Sequence, residues 1–262
     1  MFGTYLHKFV LPNGRQVFVP STSARKAGSV VHADVLRRWR VPHYFYHLQS
    51  GGHLAAAKAH LHNRCFSTLD ISGFFDSVTR SKICRALRSI GIERRKSWEI
   101  AQQSTVEKMS GTFSLPYGFV QSAVLASLAL DRSALGRRIA VLGRSNHVRL
   151  SCYVDDLVLS GVEECAVESG RLALIEAAHL SNFVINATKS QLPGPQITVF
   201  NIVLSNGEIA LTADRMQQFE KDLIHATQPA AAAILAYVRT VNSSQADHLT
   251  NQFFAATDGT WH

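Results

Sequence analysis

Short apolar runs of strand length alternate along the chain with longer stretches whose apolar residues recur at helical spacing. The segment YLHKFVLPNGRQVFVPS reads as a β-hairpin, two apolar runs joined across Pro12-Asn13-Gly14. A basic stretch over 24–40, with Arg25, Lys26, Arg37, Arg38 and Arg40, reads as helix, and a Gly51-Gly52 turn then leads into an Ala-rich helix. CFSTLDISGFF, at 65–75, reads as a strand ending in a bend at Gly73. In SVTRSKICRALRSIG, Ile83, Leu87 and Ile90 stand at helical spacing before a stop at Gly91. SLPYGFVQSAVLASLALDRSALGRRI reads as a Pro-Gly loop running into one helix, with Leu125, Leu128 and Leu135 on one side. A second hairpin, SCYVDDLVLS, precedes a helix around 163–181, the loop NATKSQLPGPQ and a third hairpin, ITVFNIVLSNGEIAL, turned at Asn206-Gly207. After Thr212 the pattern is helical to about residue 256. With no internal repeat, low-complexity tract or long linker, the economical architecture is one continuous α+β body.

Composition narrows the class. Over 262 residues, 46% are hydrophobic and 18% charged, the balance of a globular chain able to bury a core. The formal charge of +8 points to a polyanionic partner. Arg80, Lys82, Arg85, Arg88, Arg94, Arg95 and Lys96 crowd one short region, and Arg137, Arg138, Arg144 and Arg149 another. Contacts from such groups to phosphates give affinity and salt dependence without sequence choice. The four cysteines show no CxxC spacing and read as reduced structural thiols. No targeting segment is visible, and the apolar stretch at 230–238 is too short to span a bilayer. A soluble cytoplasmic protein without membrane contact is expected.

The candidate chemistry lies in carboxylates. Asp155 and Asp156 stand side by side at a hairpin tip, and Asp70 ends an apolar strand pattern. Asp favours turns for local reasons, so a solvated tip and an unrelated strand-end Asp form the plain alternative. Three carboxylates on neighbouring strand ends can instead hold two Mg²⁺ ions about 4 Å apart, activate a 3′-hydroxyl and stabilise both oxygens of an in-line phosphoryl displacement. Metal ions would also remove the repulsion between adjacent like charges.

LDISGFF, LPYGFVQSAVLASLAL, YVDDLVLSG and NATKS, in this order, resemble the reverse transcriptases, most closely the bacterial retron-type and abortive-infection or defence-associated branch. The resemblance runs from about Arg15 to about residue 256. It implies a right-hand polymerase of fingers, palm and thumb with an antiparallel palm sheet, fingers and palm over 1–212 and a small helical thumb over 213–262. It implies RNA-directed DNA synthesis with Asp70, Asp155 and Asp156 as catalytic metal ligands, the Ile71 carbonyl as a further ligand, and two Mg²⁺ ions, with Mn²⁺ as a substitute. Around the dNTP it places Arg15 on the triphosphate, Phe75 as a steric gate against a ribose hydroxyl, Tyr117 and Gly118 in the loop at the sugar, and Lys189 near the leaving pyrophosphate. Ser122, Tyr153, Arg85 and Arg88 are the expected nucleic-acid contacts.

The chain departs from the family pattern at several places. Tyr117 replaces the usual glutamine and Ala123 the usual proline, so Tyr117 is expected to stack rather than hydrogen-bond. In AAKAH, at 56–60, Ala57 and His60 match a retron element while Ala56 replaces its asparagine; His60 reads as a packed histidine. VFN at 199–201 keeps only Val199 of the retron Val-Thr-Gly. The usual N-terminal helical extension is not apparent, nor is a fused nuclease, maturase or integrase domain. The implied partners are an RNA template or non-coding RNA, a DNA product and dNTPs, with a neighbouring effector protein or a homo-oligomer in an antiphage setting. Template-independent or protein-primed DNA synthesis, a catalytically vestigial RNA-binding scaffold and an NTP-using RNA polymerase are the competing readings.

Overall fold

The computed structural model describes residues 5–12, 14–108 and 111–256. The hairpin of β1 (Tyr5–Val10) and β2 (Gln16–Pro20) forms as the pattern requires, though Asn13 in its turn lies outside the described residues. The Ser21 hydroxyl accepts the Ala24 amide and so starts α1 (Thr22–Arg38). A 3₁₀ turn at Tyr46–Leu48 precedes α2 (Gly52–Lys58). The strand β3 (Cys65–Ser72) ends at Gly73, whose φ of 53° turns the chain into α3 (Phe74–Ser77). Thr79 caps α4 (Arg80–Ser89), and α5 (Arg94–Ser104), β4 (Val106–Glu107) and β5 (Phe113–Ser114) follow.

The long helix expected after the Pro-Gly loop is two helices, α6 (Ser122–Asp131) and α7 (Ala134–Leu142). Ser133 breaks it: its hydroxyl accepts the Gly136 amide and donates to the Leu130 carbonyl, a cap that competes with continued helix. Leu125, Leu128 and Leu135 all enter the core, but Leu135 does so from the second helix.

Next come β6 (Val148–Tyr153), β7 (Asp156–Gly161), α8 (Glu164–Leu180) and β8 (Val184–Ile185). The loop expected over 186–196 contains a strand, β9 (Gln191–Gly194), which pairs with β3. Pro193 tolerates that place because the strand lies at an edge. The third expected hairpin is a three-stranded meander of β10 (Ile197–Val199), β11 (Ile202–Ser205) and β12 (Glu208–Leu211). Its first turn uses Phe200 and Asn201 at φ of 56° and 60°, without the glycine that usually announces such a turn. The chain closes with α9 (Ala213–Ile224), α10 (Gln228–Val241) and α11 (Ser243–Ala256).

The main sheet runs β6-β7-β3, and both β8 and β9 pair with the far edge of β3. Its strands alternate between two cores, as the period of two demands. Leu69, Ile71, Leu157 and Leu159 pack with Phe74, Leu125, Leu128 and Leu174 on one face. Phe66 and Val158 point the other way and join Ile202, Leu204, Phe219, Val238 and Leu249, so the meander and the last three helices share one core. On that second face, His60 bridges β6 and β7 through Ser151 and Ser160, at 2.8 and 2.6 Å, and is fully buried. It is the packed histidine the sequence suggested. Four cysteines are free thiols. Among the described residues no helix is long and apolar enough to cross a membrane.

Candidate active site

Strand register assembles the three aspartates. Asp70 on β3 stands directly opposite Asp156 on β7, which stands opposite Tyr153 on β6. Residues directly opposite across neighbouring strands share a face, so Tyr153, Asp156 and Asp70 form one row, beyond the part of that face that Phe66 and Val158 bury. Asp155 occupies the two-residue turn between β6 and β7, and its carbonyl accepts the Ile71 amide at 3.0 Å. This bond stitches the turn to the neighbouring strand. The Ile71 side chain is buried in the core.

The Asn186–Ser190 loop wraps the other side of Asp70. Ser190 Oγ accepts the Asp70 amide at 3.1 Å, the Asn186 amide donates to the Asp70 carbonyl at 2.8 Å, and Asn186 Oδ1 receives the Thr188 amide and hydroxyl. The loop thereby brings Lys189 Nζ to 3.9 Å from Asp70 Oδ1. With the lysine side chain 64% exposed, this pair stabilises the fold little and leaves the ammonium facing the cleft.

Burial and mutual repulsion raise the pKa of Asp155 and Asp156. Asp156 is pushed from 3.8 to about 7, mainly by burial, then by Asp155 and Asp70. Asp155 is raised in the same way, by burial and the Asp70 charge, against the pull of Arg15 and Lys189. Crowded hard oxygen donors whose charges repel suit a divalent cation such as Mg²⁺. Among the described residues, no three His, Cys, Asp or Glu side chains are arranged to hold an ion by themselves. Mg²⁺ sites commonly take one or two carboxylates and complete the shell with water and substrate phosphates, so the donor set fits that ion without a closed cage.

The residues expected around a nucleotide converge beside the carboxylates. The Phe75 and Tyr117 rings lie 4.7 Å apart, and the Arg15 guanidinium sits 4.3 Å above the Tyr117 ring. Tyr117 is thus packed between Phe75 and Arg15. Burial raises its phenol, and Asp155, Asp76 and Asp70 add to the rise while Arg15 opposes it. The Tyr117 carbonyl accepts the Phe18 amide at 2.9 Å, fastening the loop to the first hairpin. Gly118 permits the approach: its φ is 100°, and a Cβ there would overlap the Phe18 carbonyl oxygen. Phe74 and Phe75 are both buried in the first core, at 1% and 8% exposure.

Ser122 does not face nucleic acid. It opens α6 as expected, but it is 2% exposed and its hydroxyl donates to the Pro116 carbonyl at 2.7 Å, so it holds the loop from beneath. Arg85 and Arg88 are exposed on α4. The basic run around them is not one uniform patch. Lys82 donates to the Ser181 and Asn182 carbonyls, Arg80 stacks on Phe113 and bonds Thr105, and Arg95 pairs with Glu99.

Tyr153 belongs to an aromatic group that pattern reading missed. His47, His53 and Phe200 surround its ring at 5.7, 6.2 and 5.0 Å, and His53 Nε2 lies 3.0 Å from the Tyr237 hydroxyl. A cleft of about 520 Å³ runs here, lined among others by His53, Tyr153, Phe200, Arg215 and Tyr237. Only Phe200 carried a signal, as the residue standing where the retron element has threonine.

A family profile described as "Reverse transcriptase (RNA-dependent DNA polymerase)" matches residues 11–200. Among curated proteins, the retron Ec86 reverse transcriptase of Escherichia coli is 26% identical over 171 residues, covering 64% of this chain and 51% of that protein. The retron Mx65 reverse transcriptase of Myxococcus xanthus is 28% identical over 218 residues, covering 75% and 51%. The chain spans about half the length of these relatives. Among solved structures, apo telomerase from Candida tropicalis superposes with a TM-score of 0.62 at 10% identity, over 98% of this chain and 58% of that one. At that identity the likeness is one of fold.

Proposed function

Because the chain belongs to the reverse transcriptase family and takes its α+β right-hand polymerase fold, we propose that it adds dNTPs to a primer 3′-hydroxyl on an RNA template. The observation that carries this reading is the register placing Asp70 against Asp156 with Asp155 in the adjoining turn, where burial and neighbouring charge raise the pKa of Asp155 and Asp156. Asp70, Asp155 and Asp156, with the Ile71 carbonyl, would hold two divalent ions, Mg²⁺ in the cell and Mn²⁺ as a substitute. Such ions, when bound, would lower the pKa of the attacking hydroxyl and offset charge on the leaving group.

The protein groups do the positioning. Arg15, a planar fork of donors on the first hairpin, faces triphosphate oxygens. Lys189 offsets charge or donates a proton at the pyrophosphate end. Phe75, backed by Tyr117, presents a ring edge where a ribose 2′-hydroxyl would project. Tyr153 and the exposed Arg85 and Arg88 contact the nucleic acid, and the helices from residue 213 onward act as the thumb. The setting proposed is the bacterial cytoplasm, with a dedicated non-coding RNA as template and a neighbouring effector or second copy in antiphage defence.

The test is steady-state incorporation of dNTPs and NTPs on one primed RNA by the wild type and Phe75→Ala. The wild type should prefer dNTPs, and the variant should lose at least about tenfold of that preference by admitting NTPs. A wild type that prefers NTPs would overturn the assignment of substrate.

A further inference from the structure

The catalytic hairpin contains a strained residue held from outside its own sheet. Val154 takes φ 58° at the first central position of a two-residue turn, where type II′ hairpins carry glycine. A β-branched residue with positive φ is a true outlier, and such strain persists only where surrounding structure over-determines it. Here the restraint is visible. The Val154 amide donates to Nδ1 of His47 at 3.0 Å, across 107 positions of sequence. With Nδ1 accepting, the ring proton sits on Nε2, which donates to Ser127 Oγ at 2.7 Å, and that hydroxyl donates to the Ala123 carbonyl at 2.8 Å. The three bonds share one direction, and they fix the imidazole tautomer.

The ring itself has little freedom. Its backbone follows a segment bonded to β6 through the Cys152 amide and the Tyr44 carbonyl, at 2.8 Å, and its faces meet Phe45 and Tyr153 edge-on. Burial lowers the ring's pKa to about 4, so Nδ1 keeps its lone pair at neutral pH. The Val154 carbonyl is held too, by the Cys152 thiol at 3.7 Å.

We propose that His47 is a positioning residue for the aspartate pair: its imidazole holds the Val154 amide, keeps the turn in its left-handed conformation, and ties Asp155 to α6 through Ser127. Glycine at 154 would reach the same conformation without strain but also without rigidity. A strained valine locked by a half-buried histidine supplies a turn with one geometry. The effect on catalysis rests on the polymerase reading, whereas the effect on the turn does not.

The experiment is a double-mutant cycle of wild type, His47→Ala, Val154→Gly and the double variant, with His47→Asn beside it. Mn²⁺ affinity by electron paramagnetic resonance and dNTP incorporation on primed RNA are both measured, on proteins whose melting curves show them folded. His47→Ala should weaken Mn²⁺ binding and kcat by about tenfold with KM for dNTP little changed, and by less than about twofold in the Val154→Gly background. His47→Asn, which keeps an acceptor near the Nδ1 position, should recover most of the loss. Equal losses in both backgrounds, no loss of Mn²⁺ affinity, or no recovery by asparagine would show a ring that merely fills space and would overturn the proposal. Coupled Mn²⁺ affinities with no dNTP incorporation by any of the proteins would leave the clamp standing and overturn the polymerase reading.

Discussion

At Asp156 the folded chain keeps a proton that the unfolded chain gives up near pH 4, because burial and the charges of Asp155 and Asp70 raise its pKa to about 7. Between those two values the native state binds the extra proton, so its contribution to stability is present at low pH and disappears as pH rises through about 7. Removing the charge isolates the effect. Asp156→Asn should gain stability over the metal-free wild type as pH rises from 5 to 8, by roughly 2–4 kcal/mol at the upper end. Urea denaturation of both proteins in EDTA across that range measures it, and saturating Mg²⁺ should shrink the difference by stabilising the wild type. A difference independent of pH would mean that Asp156 is ionised without cost. Lys189 does not prevent the shift, since its ammonium stands 3.9 Å from Asp70 and is well solvated.

Two elements, the first hairpin and the Pro-Gly loop, are fastened to each other, and Gly118 is where their backbones meet. A methyl group there would face both a φ of 100° and the Phe18 carbonyl. Gly118→Ala should therefore cost about 2 kcal/mol of stability and raise KM for dNTP, because Arg15 and Tyr117 would no longer be held in one stack. Thermal melts and incorporation kinetics check both parts. The same region shows what pattern reading reaches. The convergence of Asp70, Asp155 and Asp156 was legible because flanking apolar runs reveal the strands whose ends they occupy. The break between α6 and α7 was hidden because Ser133 interrupts an otherwise continuous helical spacing. Strand β9 was hidden by Pro193, and the Phe200-Asn201 turn by its lack of glycine. His47 left no trace at all: a single histidine has no period, and its partner is 107 positions away. Ser122 misled in the opposite direction, since a helix-opening serine can turn its hydroxyl inward to a carbonyl as readily as outward to a phosphate.

Across the whole molecule, the main sheet serves two cores, and its active row lies where neither core covers it. One core fixes the sheet to the helices around α6 and α8, and the other fixes it to the meander and the last three helices. The His53–Tyr237 contact and the aromatic-lined cleft beside Tyr153 lie where α10 meets α2 and the end of β6. A template-primer duplex lying there would meet stacking surfaces next to the carboxylates, while the net charge of +8 offsets its phosphates. The central claim is that Asp155 takes part in templated DNA synthesis at this row. The most direct measurement is to give purified wild type and Asp155→Asn the same primed RNA of mixed sequence with dNTPs and Mg²⁺, and to sequence the products. The wild type should yield DNA complementary to the RNA, while Asp155→Asn, folded by its melting curve, should yield at least about a thousandfold less. Undiminished product from Asp155→Asn, or wild-type DNA whose sequence ignores the RNA, would contradict it.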